Sequence, residues 1–331
     1  MELMYKADDK RYDGTMQFRR SGKSGVLLSE ISLGLWHNFG GVNDFGNSKE
    51  MLHHAFDKGI IHFDLANNYG PPNGSAEETF GKVMKSSFLP YRSELFISTK
   101  AGHEMWPGPY GDWGSRKSLM NSIDQSLRRM NLDHVDIFYS HRYDPNTPLE
   151  ETLQALVDIV KQGKALYVGI SKYPSKAAGF AYAYLRERDV PCLLYQGRYN
   201  LLNREVEQEG LLTKAKEAGA GFVAFSPLAQ GLLSDKYLSG KVEKGSRMAL
   251  GHFLRRTALT EELLKRLNRL SEIASERGQS LAEMALAWLL KDDSVTSVIV
   301  GASSVNQLQK NLNALKNTSF STEELALIDN A

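Results

Sequence analysis

Asp64 and Tyr69 in FDLANNYG, Lys100 at the end of LFISTK and His141 in IFYSHR are the residues of this chain whose types and spacing could do chemistry. Each group follows a short apolar run that reads as a buried strand. Asp64 and Lys100 lie 36 positions apart, and Lys100 and His141 lie 41 apart, the length of a strand with a crossover helix. Parallel strands at that spacing release all four side chains at one end of one sheet. A carboxylate, a phenol, an ammonium and an imidazole gathered there make a proton-transfer site. An ammonium beside a phenol favours the phenolate and lowers its pKa, so Tyr69 reads as a general acid tuned by Lys100. Asp64 supplies the opposite charge that keeps a desolvated Lys100 protonated. His141 can donate a hydrogen bond to an oxygen on which negative charge develops. Taken singly, each has a plainer use: a turn cap, loop packing beside Gly70-Pro71-Pro72, a solvated lysine, a structural histidine.

The elements that must position these residues follow one rhythm. MQFRR and GVLLSE read as a hairpin closed over SGKSG. Apolar runs then fall at 31–35, 60–64, 95–99, 135–139, 165–170, 192–196, 221–225 and 295–300. They are mostly non-alternating, as in strands buried on both faces. Amphipathic stretches lie between them. Ser75–Glu78, Thr147–Glu150, Ser280–Glu283 and Ser304–Gln307 fit capping boxes, Pro148 suits a first helical position, and Gly59, Gly163 and Gly219 fall where helices should stop. Two stretches interrupt the repeat: the aromatic loop 103–114 and the long segment 228–257. Eight strands with helical crossovers and no linker predict a single (β/α)8 barrel domain spanning 1–331, with the N-terminal hairpin, an extra C-terminal helix and a loose extension over 1–14. An open doubly wound sheet is the alternative, but no G-x-G-x-x-G follows the first strand.

Composition excludes several classes. With 40 basic and 39 acidic residues, the chain gives no reason to expect nucleic acid or an acidic membrane as partner. The lone Cys192 rules out an internal disulfide framework, the N-terminus lacks a signal-peptide core, and no apolar run is long enough to span a bilayer. A cytoplasmic protein is expected. His53 and His54 are adjacent on a helix and cannot share a face, and with no H-E-x-x-H or C-x-x-C no metal site is expected. Arg247, Arg255 and Arg256 are too few for a basic patch.

FDLANNYG, the lysine of STK, YSHR, GISKY, LLYQGRYN, FSPLAQGLLSDKY and VIVGASSVNQLQKNL, in this order and each at a predicted strand end, resemble the aldo-keto reductase superfamily over nearly the whole chain. The branch most similar holds potassium-channel β subunits and bacterial reductases of small aldehydes such as methylglyoxal or glyceraldehyde 3-phosphate. The resemblance implies a (β/α)8 barrel that binds NADPH without a Rossmann fold, which accounts for the missing glycines. It gives Asp64, Tyr69, Lys100 and His141 the catalytic roles argued above, and His141 favours a working reductase because channel β subunits commonly carry Asn there. It assigns Ser171 and Gln196 to the nicotinamide carboxamide and Phe225 to the face of the ring. The backbone of Ser226, Pro227 and Leu228, with Lys236, falls to the pyrophosphate, and Trp36 and Gly301 also fall on the cofactor. Arg247, Ser303 and Gln307 match positions around the 2′-phosphate, and Asn311 matches an adenine contact. Lys172 departs from the family's usual Asn, and Lys310 from the Glu of channel β subunits. Trp36, Tyr69, Trp106 and His141 are the expected substrate contacts, with Tyr110 and Trp113 as further aromatics of the rim. The branch also implies a homo-oligomer, a tetramer or larger. The rival function is a cofactor-binding regulatory subunit of a membrane channel.

Overall fold

The computed structural model describes residues 5–240, 257 and 259–331. Strands β1 (Phe18–Arg20) and β2 (Leu27–Ser29) pair antiparallel as the predicted hairpin. Among the described residues, eight parallel strands then close into a barrel. They are β3 (Ile31–Gly34), β4 (His62–Asp64), β5 (Phe96–Ala101), β6 (Val135–Ser140), β7 (Ala165–Ser171), β8 (Cys192–Arg198), β9 (Gly221–Phe225) and β10 (Ser297–Val300), with β10 pairing β3 to complete the ring. The helices that wrap it include α1 (Phe45–Asp57), α2 (Ser75–Val83), α3 (Arg116–Met130), α4 (Leu149–Lys161) and α5 (Ser175–Arg186). An extra helix, Thr322–Asp329, closes the chain. The barrel is therefore a (β/α)8 barrel, each run found as a strand with ends moved by two residues or fewer.

The period of two along each strand divides the core. Ile31, Leu33, Phe63, Ile97, Phe138, Val168, Ile170 and Phe222 pack outward against the helices. Phe96, Ile137, Tyr139, Leu194, Val223 and Ile299 pack inward, joined by Leu28 of the hairpin. Gly169 is required here, because a Cβ would lie 2.3 Å from the Tyr139 ring. The rest of the interior is polar. Ser297 donates to the Ser29 carbonyl (2.7 Å) and contacts the Ser32 hydroxyl (2.5 Å). Ser32 meets His62 Nδ1 (2.8 Å), and His62 Nε2 meets Ser98 (3.0 Å), which donates to Asp64 (2.8 Å). Burial pushes the His62 imidazole down to about 4, with Asp64 opposing, so the ring sits neutral in this row.

Several local expectations are corrected. Ser280 and Glu283 form a full capping box, and so do the unforeseen Ser321 and Glu324. Ser304 caps Gln307, but the Gln307 amide oxygen accepts from Ser303 instead, leaving half a box. Ser75 caps nothing: its hydroxyl donates to Pro72, and left-handed Gly74 opens α2. Thr147 is held by the Asp144 carboxylate, and Pro148 sits at the N-cap, not inside α4. Gly59, Gly163 and Gly219 do follow their helices with positive φ. Residues 5–14 are not loose. Tyr5 stacks on His53 at 3.8 Å and donates to Asp57, and Arg11 pairs with Glu94. His54 bonds Gln309, so both histidines have structural work. Among the described residues no helix is long and apolar enough to cross a membrane.

Glu77 of α2 is fully buried, paired with Arg129 of α3 at 2.7 Å and accepting from Thr99 of β5 at 2.5 Å. Removing its cation leaves an uncompensated buried charge. Arg129→Ala should lower unfolding free energy by about 3 kcal/mol in urea titration, and Glu77→Gln on that background should restore part of it. A loss below about 1 kcal/mol in the single variant would contradict this account.

Candidate active site

The inward register delivers the polar residues to one end of the barrel. Asp64 is the last residue of β4. Lys100 is the third inward position of β5 after Phe96 and Ser98, and His141 follows β6 directly. Tyr69 sits in the turn after β4, where its amide bonds Ala66 and its carbonyl accepts from Gly74 and Ala76. Lys100 is wholly buried, and its ammonium donates to Asp64 Oδ2 (2.7 Å), the Leu65 carbonyl (2.5 Å) and the Tyr69 hydroxyl (3.4 Å). The other Asp64 oxygen accepts from Ser98 and from Gln196 Nε2 (3.0 Å). The His141 ring stands edge-on to Tyr69, centroids 5.9 Å apart. The four residues singled out in the sequence are thus brought together.

Their electrostatics differ from the expectation in one respect. Burial lowers the Lys100 pKa against the pull of Asp64. The Tyr69 phenol is pushed well above its ordinary value, first by burial and then by the Asp64 charge. Lys100 does not pull it down, because the carboxylate 0.7 Å nearer to the ammonium largely neutralises it. The phenol holds its proton firmly. His141 is pushed well below its ordinary value by burial and then by Lys100 and Lys172, so it is neutral, and its buried Nδ1 has no partner among the described residues.

These groups open on a cavity of about 470 Å³. Trp36, Asp64, Tyr69, His141, Gln196, Phe225, Ser226, Pro227, Leu228, Lys236, Gly301 and Gln307 line it. Ser171, Ser303 and Asn311 are not among the lining residues, Ser171 and Asn311 being buried and Ser303 exposed, and Arg247 lies outside the described residues. Trp106 is not a lining residue. Trp113 instead lies 3.6 Å from the Arg142 guanidinium, and Tyr110 packs with Lys117. The loop 103–114 reaches the cavity through His103. A dinucleotide fits what is present. Ser171 Oγ and Asn311 Nδ2 are buried without partners, the Phe225 ring presents a flat half-buried surface, and Lys236 stands beside the Ser226–Leu228 turn, where Ser226 has φ +54°.

His37, Asn68, His103, Arg198 and Gln230, to which the sequence assigned no role, also line the cavity, as does Lys172, noted there only as a departure from the family's Asn. Arg198 was legible, since it lies two residues beyond inward Gln196 and opposite Phe225 in the ladder. Lys172 follows inward Ser171 and should point away. Its φ of +54° turns it back into the cavity, which alternation cannot reveal.

A family model described as "Aldo/keto reductase family" matches residues 30–331. The chain is 56% identical to the L-glyceraldehyde 3-phosphate reductase of Escherichia coli (strain K12), over 99% of this chain and 95% of that protein. It is 36% identical to a probable voltage-gated potassium channel subunit beta of Oryza sativa subsp. japonica, over 91% of each chain. The chain is an oxidoreductase and belongs to the aldo/keto reductase family.

Proposed function

We propose that this protein reduces small aldehydes to alcohols with NADPH, and that glyceraldehyde 3-phosphate is among its substrates, as the name of its E. coli relative suggests. The observation that carries the reading is the convergence of Asp64, Lys100, Tyr69 and His141 on a cavity that Gln196, Phe225 and Lys236 also line. When bound, the dinucleotide would supply a hydride to the carbonyl carbon.

The chain's own residues do the remainder. Neutral His141 and the Tyr69 hydroxyl hold the carbonyl oxygen between two donors, fixing which face is presented. As negative charge grows on that oxygen, Tyr69 passes its proton to it. A raised pKa suits this role, because the phenol stays protonated until an alkoxide, a far stronger base, forms beside it. Lys100 then stands nearest to the tyrosinate, and Asp64 keeps that lysine charged for the purpose. Gln196, donating to Asp64, ties the cofactor side to this pair. A role as a channel's regulatory subunit would not call for His141 held neutral at the substrate position.

Tyr69→Phe keeps the ring and removes only the proton donor. NADPH oxidation at 340 nm with glyceraldehyde 3-phosphate should fall at least a hundredfold, while NADPH binding measured by fluorescence stays within about twofold. Turnover retained in the variant would refute the role of Tyr69.

Asp64→Asn strands the Lys100 charge. It should cost about 3 kcal/mol of stability at pH 7 relative to wild type. That deficit should shrink as pH rises towards 10: without Asp64 the burial that lowers the Lys100 pKa is less opposed, so the excess of protons bound by the unfolded state is larger in the variant and its stability climbs further with pH than that of the wild type. A pH-independent deficit would show that the loss is packing, not charge.

A further inference from the structure

The cavity walls carry an excess of positive charge that the reaction itself does not use. Among the described residues three cations line it, Lys172, Arg198 and Lys236, against a single lining carboxylate, Asp64, already paired with Lys100. Lys236 lies with the Ser226–Leu228 turn. Lys172 and Arg198 lie elsewhere, beside Phe225 and the substrate-facing histidines. The Lys172 ammonium is 3.0 Å from His103 Nε2 and 5.6 Å from the Phe225 ring centre, and His103 stands edge-on to His141 at 4.5 Å. Arg198 is opposite Phe225 in the β8–β9 ladder. Among the described residues neither cation has a carboxylate partner.

An ammonium can only donate, so His103 must accept from it at Nε2. His103 is held down to about 4 by burial and by Lys172, and it is a neutral acceptor at working pH. It therefore fixes the position of Lys172 without cancelling its charge. The left-handed backbone at Lys172 aims this lysine into the cavity at a cost in conformational energy that a solvated surface lysine would not need. Both side chains line the cavity.

We propose that Lys172 and Arg198 form an anion-binding subsite for the substrate, selecting short aldehydes that carry a phosphate monoester or a carboxylate over neutral ones. The inference rests on the carbonyl-reductase reading above and adds the residues that would select charged aldehydes over neutral ones. The guanidinium offers paired donors to phosphate oxygens, and the lysine adds a point charge. Around Lys172 stand His103 and Lys100 from β5 and its loop, His141 and Arg142 after β6, and Arg198 from β8. Burial and the cations Lys100, Arg142 and Arg198 bring its pKa down to about 8. Lys172 is therefore mostly charged at pH 7 and loses its charge as pH rises past 8, while the guanidinium keeps its own.

The test compares wild type, Lys172→Met and Arg198→Met with glyceraldehyde 3-phosphate and with glyceraldehyde. In each variant kcat/KM for the phosphorylated aldehyde should fall by roughly ten- to a hundredfold more than for glyceraldehyde, mostly through KM. Wild-type kcat/KM for the phosphorylated aldehyde should decline as pH rises past 8, and Lys172→Met should lose that limb. Calorimetric titration of the NADP+-saturated protein should show glycerol 3-phosphate binding far more tightly than glycerol, with the difference reduced in both variants. Equal losses on both aldehydes, or weaker NADPH binding without discrimination between them, would overturn the subsite. A wild type that turns over neither aldehyde yet binds glycerol 3-phosphate through Lys172 would refute the reductase reading and leave the subsite standing.

Discussion

The pairing of Asp64 with Lys100 is the constraint on which the site depends. Each ion alone would cost several kcal/mol to bury, so neither can occupy the barrel interior without the other. Their register makes the pairing possible: Asp64 is level with Ser98 in the β4–β5 ladder, and Lys100 is one inward step further towards the rim. The lysine is thus committed first to the carboxylate and a carbonyl, and only its longest hydrogen bond reaches Tyr69. That order of distances explains why the phenol is not acidified in advance. The pair is a counter-charge held ready for a tyrosinate, not a device that creates one beforehand.

Around this pair the barrel divides its labour. In the proposed mechanism strands β4 to β6 and their turns carry the proton chemistry. Strands β7 to β10 and the helix that follows present the groups suited to a dinucleotide, two of them, Ser171 Oγ and Asn311 Nδ2, buried without partners among the described residues. Gln196 crosses between the halves. Polar atoms left unpartnered in a core are costly. Their cost is recovered when a ligand arrives, which is where a binding site differs from a merely polar core.

Much of this was legible in the residues. Apolar runs located all eight strands, and the spacing of Asp64, Lys100 and His141 placed them on one rim. Alternation would also have placed Arg198 inward, two residues beyond Gln196, but it was not singled out. What was not legible depended on competition between local and distant partners. Ser75 and Thr147 sit where capping residues belong, but a nearby carbonyl and the Asp144 carboxylate hold them instead. Lys172 reversed its direction through one left-handed residue, and His103 enters from a loop with no period to read. Trp106 was drawn in by composition, while its loop presents a histidine to the cavity. The charge order at Tyr69 required distances that no spacing supplies.

The serine–histidine row beneath Asp64 has a consequence for when the protein becomes competent. One of its links, Ser297 to Ser32, crosses the seam where the last strand of the barrel meets the first, and Ser297 also donates to Ser29 at the end of the hairpin. Ser32 in turn orients His62 and, through Ser98, the carboxylate. The alignment of the acid is therefore completed by the ring's closure, and an open, partly assembled sheet would hold the same residues without their orientation. Maturation of the catalyst and completion of the circle are one event, so half-made chains in the cell would be inert towards reactive aldehydes.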